Sequence, residues 1–227
     1  MKALLPLLLL GACGTPPSGV REVQYTVVWD PAGTTLEEGA RVLHTDLGYE
    51  VRLTRLLVVE HTVSLVPCVD RSTALLGWPV ATAWAAHPAS DDPSSLVATR
   101  AVDALDPSPV TLGTTHPGGE AYCGAHWVVA DAPPGSPHAG HSLVVEGSWR
   151  KGDRAGTLAW TSAWPQGRST PIDLGALGTD RVAVTVTRRL ATILDGVDLA
   201  TARDLEGLWQ VLVHLVDDTT VRVDAAR

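Results

Sequence analysis

The stretch EVRLTRLLVVEHTVSLV, residues 50–66, decides the fold class of the chain. Its apolar residues recur with a period of two, which is the repeat of a β-strand that buries one face. The recurring positions are Val51, Leu53, Leu57, Val59, Val63 and Leu65. The run is longer than the usual strand of about 3–10 residues. We therefore expect a break near Glu60-His61-Thr62.

Similar alternating segments occur on both sides of this stretch, separated by Gly, Pro and Asp clusters. They lie at residues 23–29, 121–130, 143–149, 158–164, 182–186 and 221–223. Lys151-Gly152-Asp153 joins two of them as a hairpin turn. The pattern predicts a mainly β protein, an antiparallel β-sandwich of about seven to nine strands. We expect long loops at residues 86–120 and 130–140, which are rich in Pro, Ser, Gly and Asp.

One amphipathic helix is predicted near the C-terminus. Its apolar residues follow the i, i+3, i+4 spacing of a helix that packs one face against a core. These residues are Leu205, Leu208, Trp209, Leu212, Val213 and Val216. Glu206, Gln210 and His214 form a polar stripe on the other side, so we expect His214 to be solvated.

Composition favours one folded domain over residues 21–227. The 227-residue chain is 45% hydrophobic and 19% charged, which is enough apolar material for a core. Its formal net charge is −8, from 17 Lys and Arg against 25 Asp and Glu. Because no basic excess is available to contact phosphate, nucleic acid is not an expected partner.

The N-terminal segment predicts export and a lipid anchor. Residues 1–12 combine one Lys, a short apolar run and small residues, which is the pattern of a signal peptide. Leu10-Gly11-Ala12-Cys13 resembles the lipobox of bacterial lipoproteins, in which the Cys is lipidated and begins the mature chain. Residues 13–20 then form a tether. We expect an envelope protein facing the periplasm or the cell surface, and the alternative is a plain secreted protein cut near Ala12.

The two remaining cysteines, Cys68 and Cys123, are expected to form a disulfide, since the envelope outside the cytoplasm is oxidising. The alternative is a thiolate that binds a metal or acts as a nucleophile. If both sulfurs are bonded to each other, a site built on soft sulfur ligands loses its donors.

No catalytic motif occurs in the chain, which favours a binding protein over an enzyme. Asp195 and Asp198 are more simply interpreted as turn and capping residues than as paired acids. Glu60 and His61 are neighbours in a strand and so point to opposite faces, which argues against an acid–base pair.

Histidines are the remaining chemical signal, and they suggest a copper or zinc site. We select His87 and His126 first and His61 third; the alternative for each is a hydrogen-bonded structural histidine. His44, His116, His138 and His141 are interpreted as exposed loop residues. If the Cys68–Cys123 bridge joins adjacent antiparallel strands, residue 61 lies opposite residue 130. His61 and His126 can then share a metal only if a bulge shifts the register.

The order of segments resembles that of bacterial periplasmic lipoproteins of the methanobactin-associated copper-binding (MbnP-like) group. The resemblance rests on the Gly-led strand Gly48-Tyr49-Glu50-Val51-Arg52-Leu53 and on the turn Leu194-Asp195-Gly196-Val197-Asp198-Leu199 before a helix. It implies copper binding. The middle of the chain, where that group carries its metal ligands, does not match, so no ligand is carried over.

A metal-free module that binds an envelope protein or a glycan is the alternative function. The chain has eight Trp and no Phe, and Trp is favoured where a binding surface needs a large contact area. We expect Trp149 and Trp160 in the core, and Trp78 and Trp164, each followed by Pro, at the surface.

The lipid anchor is tested by comparing the native chain with Cys13→Ala in membrane fractionation. We expect the native protein in the membrane fraction and the variant outside it, because acyl chains on Cys13 hold the protein at the bilayer. Equal partition of both forms into the aqueous fraction would contradict the anchor.

Overall fold

The structure is a computed structural model that describes residues 20, 22–68, 92–118, 121–174, 180–202 and 204–226. Within these ranges the chain forms twelve strands and one helix, which confirms a mainly β fold with a C-terminal helix. In chain order they are β1 (Glu22–Asp30), β2 (Thr35–Glu37), β3 (Ala40–His44), β4 (Glu50–Pro67), β5 (Ser95–Asp103), β6 (Val110–Thr115), β7 (Tyr122–Val129), β8 (Leu143–Lys151), β9 (Arg154–Ser162), β10 (Gln166–Pro171), β11 (Arg181–Arg189), α1 (Asp204–Asp217) and β12 (Thr220–Ala225).

The strand count exceeds the predicted seven to nine because several strands lack clean alternation. Strands β5 and β6 lie inside the stretch 86–120, for which the composition predicts a long loop. Both show mixed burial along their length, so they carry little of the period-two signal. The short strands β2 and β10 are mostly exposed and polar.

The strands form two sheets that face each other across the core. The first sheet has the order β12-β11-β1-β6. In the second sheet β4 is central and pairs with β3, β5, β7 and β8, while β10 and β9 lie outside β7 and β8. The predicted β-sandwich is present. Among these strands all pairings are antiparallel except that of β1 with β11, which is parallel and was not predicted.

The break predicted at residues 60–62 does not occur. Strand β4 is continuous there and carries a bulge. On the β7 side, Glu60 pairs with Val129 and Thr62 with Val128, which leaves His61 as the extra residue. The same strand changes partners at this level, from β8 for residues 50–58 to β7 for residues 60–67. Because a bulge bends a strand without ending it, β4 continues over 18 residues.

Irregularities in the neighbouring strands lie level with the bulge at residues 60–62. The line across the second sheet that joins them is called the crease. Strand β5 has Thr99 at φ 40°, a left-handed conformation, beside the bulge. Residues 130–142 leave the sheet between β7 and β8, and residues 163–165 interrupt the edge between β9 and β10. The crease therefore crosses the whole second sheet.

A buried ion pair lies under the crease and joins the two sheets. Arg188 of β11 donates from Nη1 to Oε1 of Glu60 and from Nη2 to Oε2 at 3.0 Å. Both side chains are 2% exposed. The guanidinium also lies 5.7 Å from the ring centre of Trp29, its neighbour in the parallel pair. Burial raises the pKa of Glu60, and the charge of Arg188 opposes that rise.

The helix α1 packs against β9, β10 and β11 and so covers the edge of the second sheet. At Gly207 the backbone lies so close to Trp160 that an added Cβ would come within 2.8 Å of the indole. Covering an edge in this way protects its unpaired backbone groups from pairing with another chain.

Cys68 and Cys123 lie at disulfide distance, with Cα atoms 4.8 Å apart, as the predicted pairing requires. They join the end of β4 to the start of β7, which are adjacent antiparallel strands. The backbone N–H of Cys68 donates to the carbonyl of Ala121 at 2.8 Å.

The ion pair predicts a strongly non-additive mutant cycle. Arg188→Met leaves the Glu60 carboxylate buried without its partner, and we expect the free energy of unfolding to fall by about 3–5 kcal/mol. Adding Glu60→Met should restore most of that loss, because the second change removes the uncompensated charge. Urea denaturation of the wild type, both single variants and the double variant measures the coupling. Losses that simply add would contradict a coupled pair.

Candidate functional site

The structure places two of the three predicted metal-binding histidines; His87 lies outside the described residues. His61 is the bulged residue of β4, and its Nδ1 lies 2.7 Å from Oγ1 of Thr62. His126 of β7 is half-buried, with Nδ1 3.0 Å from Oγ of Ser169. Burial lowers the pKa of His126, and a hydrogen bond with the backbone of Arg168 opposes this shift. A lowered pKa favours the neutral imidazole, the form that binds metals.

A register shift between Val66 and Pro67, next to the disulfide, brings the two histidines one residue closer than the simple register predicts. Ser64 of β4 lies opposite His126, so His61 is three residues away along β4, about 10 Å at ~3.3 Å per residue. Thr62 lies opposite Val128 on the face away from the core, and its contact with His61 places that ring on the same face. Within the described ranges, no group of three His, Cys, Asp or Glu residues is close enough to hold a metal ion.

The remaining histidines divide between exposed and partly buried positions. His44 and His116 are exposed, as predicted, while His138 and His141 of the loop 130–142 are partly buried. His214 is also partly buried rather than fully solvated, and its Nδ1 lies 3.5 Å from Oδ2 of Asp218. That carboxylate also accepts from Oγ1 of Thr192 at 2.8 Å.

Asp198 has the predicted turn role, since its Oδ1 accepts from the backbone N–H of Ala200 at 3.2 Å, whereas Asp195 contacts a distant loop. Oδ1 of Asp195 accepts from the backbone N–H of Asp46 at 3.0 Å. Asp198 accepts from Oγ1 of Thr201 at 2.6 Å and from the hydroxyl of Tyr49. These two hydrogen bonds, the one from Thr201 first, lower the pKa of Asp198.

The tryptophans separate into core and surface positions largely as predicted. Trp160 is 5% exposed, and Trp149 is partly buried against the core. Trp164 is 42% exposed, and Trp78 lies outside the described residues. The prediction that Trp209 lies on the packed stripe of the helix is wrong, because its side chain is 49% exposed.

The packed face of α1 explains the exposure of Trp209. Residues 207, 208, 211, 212, 215 and 216 are buried, a stripe with a repeat of four. Because Gly207 contacts Trp160 closely, the buried stripe faces the sheet. Position 209 lies beside the buried stripe and is exposed. Gly207 has no apolar side chain, so the apolar spacing alone did not reveal that it belongs to the packed face.

Trp164 and Trp209 contact each other at the surface. Their ring centres are 6.3 Å apart and their planes meet at 68°, an edge-to-face arrangement. Further along the same edge, about 12 Å from the two rings at ~1.5 Å per helix residue, Arg168 of β10 forms an ion pair with Asp217 at the end of α1. We call these four residues, Trp164, Trp209, Arg168 and Asp217, the aromatic surface.

Both tryptophans are carried by well-defined backbone. Trp164 lies at the crease between β9 and β10, where its N–H donates to Oγ of Ser162 at 3.0 Å and Pro165 follows. Trp209 is carried by a packed helix. The rings are therefore presented by backbone that is already ordered, which lowers the entropy lost when a partner binds.

Comparisons with protein-family models, with curated proteins and with solved structures find no match for the chain. The resemblance to the methanobactin-associated group therefore stays a prediction. In the part of the chain that the structure describes, no helix is long and apolar enough to cross a membrane.

Proposed function

We propose that the chain is a cell-envelope lipoprotein, anchored through Cys13, that acts by binding a protein partner through the aromatic surface. The observation that carries this proposal is the pair of exposed, mutually packed tryptophans. The residues around Cys13 support the anchor. The absence of a catalytic motif in the sequence favours binding over catalysis.

The composition of the aromatic surface suits a protein contact. Trp and Arg are among the residues most often found at the energetic centre of protein interfaces. Trp164 and Trp209 supply apolar area, while Arg168 and Asp217 supply the polar rim that such centres have. The ion pair between these two is exposed, with side chains 42% and 56% accessible. Exposed pairs contribute little to folding. Arg168 and Asp217 can therefore bind groups of a partner protein in place of each other.

The partner contact is tested with the double variant Trp164→Ala, Trp209→Ala in pull-downs from envelope extracts. We expect recovery of a specific partner to fall at least about tenfold, since truncating an interface-centre residue costs about 2 kcal/mol or more. Leu36→Ala is the matched control, because Leu36 is an apolar residue 65% exposed on β2.

Equal recovery by the native protein and the tryptophan variant, with matching melting temperatures, would contradict the proposal. Loss of the partner in the Leu36→Ala control as well would show that surface hydrophobicity in general, rather than the aromatic surface, is responsible. If the tryptophan variant lost only a glycan and recovered every protein as the native chain does, that result would also contradict the proposal.

A second candidate function is binding of copper or zinc through histidines. It is favoured by the placement of His61 and His126 on one face of the second sheet, and the lowered pKa of His126 favours its neutral ring. His87, which with His126 is a first choice from the sequence, completes the proposed set of ligands. Nitrogen ligands suit Cu(II) and Zn(II).

Metal analysis of the mature chain, purified from the envelope without a His tag, tests this candidate. We expect close to one copper or zinc per chain in the native protein and a clear loss in His126→Gln and in His87→Ala. His44→Gln is the control, because His44 is exposed at the end of β3. Substoichiometric metal in the native protein, with no rise in melting temperature on adding Cu(II) or Zn(II), would reject it.

A further inference from the structure

A groove lies at the end of the second sheet where β4 begins and the β8–β9 hairpin turns, away from the disulfide at the end of β4. It consists of two adjoining recesses that share Glu50 and Arg150. One recess, of about 360 Å³, is also lined by His44, Lys151 and two glycines. The other, of about 480 Å³, is also lined by Arg52, Ser148, Trp149 and two small residues. Both recesses are open to solvent.

The residues that line the groove include more cations than carboxylates. Three cations, Arg52, Arg150 and Lys151, line it against one carboxylate, Glu50, in a chain of net charge −8. Arg52 also pairs with Glu37 and Glu38, whose side chains are 52% and 91% exposed. Exposed ion pairs of this kind are weak, so an anionic ligand can compete for Arg52.

The other two cations keep hydrogen-bonding capacity. Arg150 contacts Glu50 through Nη2 alone, at 2.9 and 3.1 Å, so in the described contacts its Nη1 and Nε bond no other residue. The ammonium of Lys151 lies 4.6 Å from the ring centre of Tyr49 and makes no ion pair among the described residues. The carboxylate that it influences, Asp198, already accepts from Tyr49 and Thr201.

Aromatic packing on the core face of the sheet holds the strands that carry the groove. The indole of Trp149 lies across Gly156, where an added Cβ would come within 2.7 Å of three indole atoms. Tyr49 meets the same indole edge-on, with ring centres 5.3 Å apart. These contacts hold the indole in one place.

We propose that this groove binds an acidic glycan, a chain of sugars that carry carboxylate groups. Arg52 lies opposite Ser148, and Arg150 lies opposite Glu50. The two guanidinium groups thus start about 7 Å apart along the strands, a spacing of the order of one sugar unit. The cations are spread along the groove rather than gathered at one point. A chain with repeated carboxylates fits this spread better than a single phosphate ion does. Ser148, His44 and Glu50 supply groups for sugar hydroxyls.

The site is independent of the aromatic surface, and its test uses none of the residues of that surface. Isothermal titration of the mature chain with hexagalacturonate, an acidic hexasaccharide, should show binding that weakens in high salt. Maltohexaose, its neutral counterpart, and inorganic phosphate should bind much more weakly. In the variant Arg150→Gln, Lys151→Met we expect about a tenfold loss of affinity for the acidic hexasaccharide.

The matched control is Arg55→Gln, which removes a cation that pairs with Glu146 on the same sheet but outside the groove. It should bind hexagalacturonate as the native protein does. The proposal is overturned if the native protein shows no binding at millimolar hexagalacturonate, or if maltohexaose or phosphate binds equally well. Unchanged affinity in the double variant, with a native melting temperature, would overturn it too.

Discussion

The ion pair between Glu60 and Arg188 is the interaction on which the sandwich depends. It connects the central strand of one sheet to a strand of the other, with both charged groups almost fully buried. A buried charge is tolerated only with its partner in place. The pair therefore favours the one alignment of the two sheets that brings residue 60 over residue 188. Trp29 packs against the guanidinium and completes the enclosure.

The crease links the position of the ion pair in the core to the position of residues at the edge of the second sheet. Glu60 must face the other sheet while Thr62 faces outward, and the extra residue His61 makes both possible. The neighbouring strands follow the bend at residues 130–142 and 163–165. Trp164 stands where the crease meets the edge, and α1 crosses this edge with Trp209 beside it. The aromatic surface is thus placed by the bend that the ion pair stabilises.

Much of this fold was accessible from the sequence because burial and alternation coincide in most strands. The β8–β9 hairpin, the C-terminal helix and the turn role of Asp198 follow from local patterns. Strands β5 and β6 were missed because neither alternates clearly. The ion pair was missed because Glu60 sits where the alternation breaks. Its partner did leave a signal, since Arg188 continues the inward phase of Val184 and Val186.

Site-specific photo-crosslinking measures whether a partner protein contacts the chain at the aromatic surface. A photoreactive phenylalanine analogue would replace Trp209 in the full chain in its native envelope, with Leu36 as the control position. We expect one discrete crosslinked protein from position 209 and none from position 36. The same products from both positions, or none from position 209 while the protein remains folded and in the envelope, would contradict it.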